Sequence, residues 1–345
     1  MERYLSYDCH LITPMFLHGA DPIIPELRAA SLKGVLQYWW RAIHPSTVIE
    51  KIRLEEALLF GGAKNEGEEW KEVGKSKVRV FIKSSAELKH KKLSELNLKR
   101  NKYSVNYLSF GVQAFNEPSE RECFIPSTDA PIQIEFQFGN VTDEQFESVK
   151  RAFAAFIHFG NLGSKSRNGF GKLFPAKPLE ITYQKVLEAG KQKPLANFTA
   201  FSKESRCLES TGTYHSWDQA MDYLKTVYEN ARKALPQKAN RTLVAAPIET
   251  KINPQDFYVK INDKDEKIDR HAKPYFVSVI PIAQQKPNTP PRYRLRILHL
   301  PYNYFYGHQL VKDLPSEQIR LKGEYMTIQN SMINYFLKNG FKKVP

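Results

Sequence analysis

Cysteine is scarce in this chain: Cys9, Cys123 and Cys207 lie far apart, and no Cys-x-x-Cys pair occurs. That scarcity argues against a disulfide framework and against a thiolate zinc centre, and it leaves the three thiols as reduced, structural groups. Long apolar runs are missing too. No segment approaches the ~18 consecutive apolar residues that span a bilayer, and Met1-Glu2-Arg3-Tyr4 lacks the apolar stretch of a secretory signal, so a cytoplasmic protein without a membrane role is expected. The sequence has no Gly-x-x-x-x-Gly-Lys-Ser/Thr element, which argues against a nucleotide-binding P-loop. His10, His18, His271 and Asp21 form no close constellation, so neither a metal site nor a cofactor is expected.

Positive charge is abundant. Lysine and arginine outnumber acids by 51 to 37, for a formal charge of +14, which favours a polyanionic partner such as nucleic acid or an anionic membrane surface, and charge alone does not choose between them. With 345 residues, 41% of them hydrophobic and 12% aromatic, the chain suits two domains rather than one core.

Hydrophobic patterning predicts a strand over Tyr4 to Ile12, broken at Thr13-Pro14. A helix to Ile43 follows, with Ser31 as its N-cap and Leu32, Leu36, Trp39 and Ile43 as its core stripe. Leu54 to Phe60 reads as a short helix ending at Gly61-Gly62, Lys77 to Lys83 as a strand, and Glu87 to Lys102 as an inserted surface segment. Pro131 to Phe138 alternates like a strand, and Thr142 with Gln145 opens a helix bearing Phe146, Val149, Phe153 and Phe156. A last strand near Leu179 to Tyr183 completes the β-α-β-β-α-β order of a ferredoxin-like domain. Beyond a linker at Ala189 to Pro194 the pattern recurs: helix over Trp217 to Leu235, strands over Tyr275 to Ile282 and Tyr293 to Leu300, helix over Ser316 to Leu337. The expected class is α+β, with tandem ferredoxin-like (RRM-like) domains at residues 1–188 and 189–345, the second a degenerate copy.

Two constellations could hold RNA. The turn from Gly160 to Lys172 combines Gly163, Gly169 and Gly171 with Lys165, Arg167, Asn168 and Lys172; bare backbone N–H groups and cations together suit phosphates, although a plain connecting turn has the same composition. On the first helix, Lys33, Gln37, Trp40, Arg41 and His44 share the face opposite the core stripe, a cation-and-indole mixture that suits stacked bases or, equally, a solvated side with Trp40 at a contact. Arg28, just before that helix, is a phosphate candidate, with an ion pair to Glu26 as the plainer reading. Asp21 is the residue a metal-dependent endoribonuclease would use, and a turn-forming role is the plainer one. A scaffold that only touches RNA is a third possibility.

Thr13-Pro14-Met15-Phe16, Gly19-Ala20-Asp21, Glu26-Leu27-Arg28, Ser31-Leu32-Lys33-Gly34 and Tyr38-Trp39-Trp40-Arg41 together resemble the N-terminal signature of RAMP proteins, the RNA-binding subunits of CRISPR systems. The Glu-Leu-Arg and Trp-Trp-Arg elements resemble those of the first subunit of the Cmr-type, type III-B, effector complex. Tyr107-Leu108-Ser109-Phe110-Gly111 and Arg270-His271-Ala272-Lys273-Pro274 resemble later elements of that family, which more usually has serine where Lys273 stands. The resemblance implies two RAMP domains, other RAMP subunits as partners, and a non-catalytic role holding the 3′ part of a CRISPR RNA and its paired target in antiviral defence. It also brings Arg270, His271 and Lys273 into the expected RNA contact. The target-cutting aspartate is expected in a different subunit, since Asp21 is out of register with the arginine spacing that accompanies it.

Overall fold

The computed structural model describes residues 3–62, 71, 73–96, 98, 101–112, 120–236, 241, 243–244, 258–261, 264–267, 272–282, 291–303, 309–310 and 316–344. Arg270 and His271 lie outside these described residues.

The first half runs β1 (Arg3–Leu11), α1 (Ala29–Ile43), α2 (Ile49–Phe60), β2 (Val78–Ser84), β3 (His90–Lys92), α3 (Lys102–Ser109), β4 (Glu122–Phe124), β5 (Ser127–Phe138), α4 (Asp143–Phe159), β6 (Leu173–Pro175) and α5 (Tyr183–Glu188). The second runs β7 (Arg206–Ser210), α6 (Trp217–Lys233), β8 (Tyr258–Ile261), β9 (Lys264–Lys267), β10 (Tyr275–Ile282), β11 (Arg292–His299), β12 (Gln309–Leu310), α7 (Ser316–Lys338) and β13 (Phe341–Lys343). Two antiparallel sheets carry the architecture, in the orders β2-β5-β1-β6 and β10-β11-β7-β13. In each, the first strand lies between the third and fourth, and the second lies outside the third. This is the ferredoxin-like arrangement twice over, and the fold class is α+β.

Local sequence explains the main elements of the first sheet. Ile132, Ile134, Phe136 and Phe138 alternate along β5 and are buried under α1 and α4. α4 starts at a capping box in which Gln145 N donates to Thr142 Oγ1 (3.2 Å) and Thr142 N donates to Gln145 Oε1 (3.1 Å). Its Phe153 meets Phe136 edge-on and stacks on Tyr7. Leu32, Leu36, Trp39 and Ile43 of α1 are buried as the stripe predicted.

Four expectations need correction. α1 begins at Ala29 with Arg28 as its N-cap, because Leu32 N already donates to Arg28 O, so Ser31 lies in the first turn. The fourth strand of the first sheet is β6, directly after the glycine-rich turn, where it pairs with Cys9 to Leu11. Thr182 instead caps the short helix α5, accepting from Lys185 N. The described residues of 87–102 are mostly exposed but form more than a surface insertion: β3 pairs with β4, and Leu88, Leu93 and Leu98 are buried. Finally, the 189–194 connection is packed against α1, with Lys193 Nζ donating to Ala42 O (3.4 Å) and Phe201 N donating to the same carbonyl (2.9 Å).

The halves exchange core side chains. Phe201, Cys207, Phe276, Leu298 and Leu300 belong to the cluster built around β1, β5 and α4. Ile12, Phe16, Val105, Leu108 and Phe170 belong to the cluster built around α6, β10 and β11. Among the described residues no helix is long and apolar enough to cross a membrane.

Candidate nucleic-acid interface

The glycine-rich turn leaves α4 and runs beside the segment that follows β1. Gly171 N donates to Pro14 O, Ile12 N to Lys172 O and Ser164 N to Phe16 O, each at 2.8 Å. Thr13, fully buried, pins the turn twice: its Oγ1 donates to Gly169 O (2.7 Å) and accepts from Lys172 N (2.9 Å). Gly163 and Gly171 adopt φ of 96° and 76°. A side chain at either would also collide with backbone, Phe16 O at Gly163 and Leu162 O at Gly171, so both positions require glycine. Lys165 is the one non-glycine residue at positive φ among those described (56°), and Gly169 stands at 95°.

The turn reaches across to the second half. Asn161 Nδ2 donates to Val277 O (2.7 Å) and to Ser166 O, Asn168 forms a parallel bridge with Val277 at the edge of β10, and Asn168 Nδ2 donates to Leu108 O (2.9 Å). Arg167 donates to Lys273 O and Thr199 Oγ1, with its guanidinium 4.3 Å from the Phe276 ring centroid and 5.6 Å from that of Tyr38. Lys273 Nζ returns a bond to Asn168 Oδ1 (2.8 Å). What remains at the surface is the ridge 163–168, half-buried or exposed throughout. On it the N–H groups of Ser166 and Arg167 donate to no acceptor among the described residues.

Several expected contacts are corrected by burial. Gly169 and Gly171 are buried, so their backbone serves the turn and does not face a phosphate. Lys172 is 1% exposed and donates to Ile157 O and Gly160 O, capping the C-terminus of α4; burial pushes its amine well below the usual lysine range. The second face of α1 is not open either. Trp40 is 5% exposed, its indole N–H bonded to Ser148 Oγ (3.0 Å) and its ring edge-on to Phe60. Lys33 Nζ donates to Phe60 O (2.7 Å), Arg41 pairs with Glu56, and buried His44 bonds Glu55 (2.9 Å). α2 covers this side, which is why the cations are satisfied within the protein. Gln37 is half-buried and lies on the same helix.

Arg28 does not pair with Glu26; its guanidinium donates to His18 O (3.1 Å) and sits at an α1 N-terminus that has no side-chain cap and no acid in its first turn. Asp21 is occupied by its own turn, accepting from Ile23 N (2.7 Å) and Ile24 N (3.1 Å), and these bonds lower its pKa. His18 Nε2 meets Glu122 O (3.0 Å), and His10 lies across from Phe174 on β6. Among the described residues no group of three or more His, Cys, Asp or Glu could hold a metal.

Sequence reasoning missed Thr13, Asn161 and Thr199 because their partners are distant in the chain. It also left unused the aromatic spacing of α3, which is legible in Tyr103, Tyr107 and Phe110.

Lys273 is half-buried, with its amine turned inward 4.2 Å from the Tyr228 ring centroid; desolvation, helped by the charges of Arg232, Arg167 and Lys165, pushes its pKa from 10.5 to about 7. Between those values the unfolded chain carries a proton on Lys273 that the folded protein does not, so raising pH through this window favours folding. Wild-type stability relative to Lys273→Met is therefore expected to increase from pH 7 to pH 10, as read by denaturant titration at each pH; a pH-independent difference would contradict the burial of this amine.

Residues 8–173 match the RAMP superfamily. A curated relative, the CRISPR system Cmr subunit Cmr1-2 of Pyrococcus furiosus, is 34% identical over 84 residues, which span 24% of this chain and 39% of that protein. The crystal structure of Cmr1 from Pyrococcus furiosus in its apo form superposes with a TM-score of 0.55 at 14% identity, covering 99% of this chain and 98% of the other. A chain of the type III-B Cmr-beta complex bound to cognate target RNA gives 0.52 at 10% identity, over 96% and 100% of the two chains. These are Cmr proteins, the group to which the Glu-Leu-Arg and Trp-Trp-Arg elements pointed, and at such identities the superpositions speak for the fold. The superfamily match extends from β1 through the glycine-rich turn to β6, so over residues 8–173 the chain is similar to the RAMP superfamily.

Proposed function

We propose that this chain is a non-catalytic, RNA-holding subunit of a type III-B CRISPR ribonucleoprotein, seated among other RAMP subunits in the cytoplasm and gripping the 3′ part of the CRISPR RNA with its paired target. In this reading the units are residues 1–188 and 189–345, a division supported by the repeat of the sheet order. The observation that carries the proposal is the ridge 163–168. Its backbone is locked from both halves, it carries the cation Lys165, and the N–H groups of Ser166 and Arg167 have no acceptor among the described residues. Arg28, at the uncapped start of α1, adds a second phosphate contact. The resemblance of Arg270-His271-Ala272-Lys273-Pro274 to a RAMP element adds Arg270 and His271 to the proposed RNA contacts. Such contacts position a strand while base pairing within the RNA carries its sequence information. The bonded carboxylate of Asp21 speaks against metal-dependent cleavage by this chain.

Filter binding of labelled single-stranded RNA to the purified chain across salt, with and without Mg²⁺, tests this reading. The RNA is expected to stay intact and to be released steeply as salt rises. Lys165→Ala should weaken binding and flatten the log–log salt slope by about one unit. Arg167→Ala should instead lower the melting temperature, because Arg167 joins the turn to Lys273, Thr199 and Phe276. Salt-insensitive binding, or wild-type affinity in Lys165→Ala, would count against the ridge. Cleavage abolished by Asp21→Ala would overturn the non-catalytic assignment.

A further inference from the structure

Helix α3 buries Val105 and Leu108 in the core it shares with α6, yet turns aromatic rings outward. Phe110, its C-cap, is 75% exposed, Tyr103 is 69% exposed, and Tyr107 is half-buried between them. Spacings of four and three residues place the three rings in one stripe. Exposed aromatic rings in such a row are costly to leave in water, so the row calls for an occupant.

Cations and acids both border the stripe. Lys225 Nζ lies 4.8 Å from the Tyr103 ring centroid and 5.6 Å from that of Tyr107, while also pairing with Glu229. The acids of α6 that face α3 are engaged, Asp218 by Asn101 and Asp222 by Ser104. The stripe also continues the ridge. Asn168 Nδ2 holds Leu108 O, and a Cβ placed on Gly111, the residue after Phe110, would lie 3.5 Å from Lys165 Nζ. An RNA strand whose phosphate sits at Lys165 would thus have its neighbouring nucleotides beside Phe110.

We propose, building on the RNA-holding reading above, that Tyr103, Tyr107 and Phe110 form a stacking platform for unpaired nucleobases of the strand whose phosphates the ridge 163–168 holds. Rings flanked by cations suit bases joined by a polyanionic backbone, and stacking tolerates any base. A protein partner would use such rings as well, and it is the outcome in which Phe110→Ala leaves oligoadenylate affinity unchanged.

The test compares binding of the full chain to an oligoadenylate and to an abasic ribose-phosphate oligomer of equal length. Wild type is expected to bind the oligoadenylate about ten-fold more tightly, and Phe110→Ala should remove about ten-fold from that affinity while leaving the abasic oligomer and the salt slope unchanged. Lys165→Ala should weaken both oligomers alike. An unchanged melting temperature for Phe110→Ala confirms that folding is not the cause. Wild-type oligoadenylate affinity in Phe110→Ala, with the Lys165→Ala loss still present, overturns the platform and leaves the RNA-holding reading standing. Equal weakening of both oligomers by Phe110→Ala also overturns it, and failure of wild type to retain either oligomer removes both proposals.

Discussion

Trp40→Ala is expected to destabilise the fold by about 3–5 kcal/mol, as much as Trp39→Ala, because both indoles are buried and truncation leaves a cavity. The two rings serve different contacts. Trp39 packs on Phe159, Phe201 and Phe276 and so ties α1 to both halves of the chain. Trp40 fills the space between α1, α2 and α4, against Phe60 and His44, with its N–H on Ser148. Trp40→Phe keeps most of the apolar burial and removes that hydrogen bond, for a loss of about 1 kcal/mol. Denaturant titration of the three variants checks this, and a near-wild-type midpoint for Trp40→Ala would place its ring at the surface. RNA affinity of Trp40→Phe should equal that of wild type.

Gly171→Ala should cost roughly 2–5 kcal/mol, from a left-handed backbone that alanine adopts reluctantly and from collision of the new methyl with Leu162 O. Gly169→Ala shares the positive φ, but its nearest neighbour would be Met221 Cε at 3.9 Å, so only the backbone strain applies and about 1–2 kcal/mol is expected. Thermal melts of both variants should therefore rank them clearly. An equal effect at the two positions would mean that the turn relaxes around the added carbon. These glycines were expected to admit phosphate, and their burial changes what the substitutions report: stability, with RNA binding affected through the shape of the ridge.

Elements specified by neighbouring residues were legible. The Thr142–Gln145 capping box and the alternation of Ile132, Ile134, Phe136 and Phe138 are local signals, and both elements stand where they indicated. α1 was legible as a helix but not in its environment. A single apolar stripe describes a helix covered on one side, whereas α2 also covers this one, so Trp40 and His44 are enclosed and their neighbouring cations bonded. β7 gave no clear pattern because it carries Glu209 into the interior, where Arg296 and Arg294 from β11 compensate the charge. Of the candidate site, the position and composition of the turn were readable. The clasp of Arg167 on Lys273 joins residues 106 apart, and the Lys172 amine turns inward to the carbonyls that end α4, so no pattern within the turn itself encodes either.

The anchors of the glycine-rich turn have a bearing on when this protein becomes able to bind. One anchor, Thr13, precedes its partner Gly169 by 156 residues, and another, Val277, follows Asn161 by 116. Contacts of such separation form late, since a long loop must close before they stabilise anything. On a ribosome the ridge reaches its final shape only after Lys273 and Val277 have left the exit tunnel. A half-made chain, although already rich in lysine, thus lacks the rigid ridge, and under the proposed RNA-holding role capture of a strand waits for the second half.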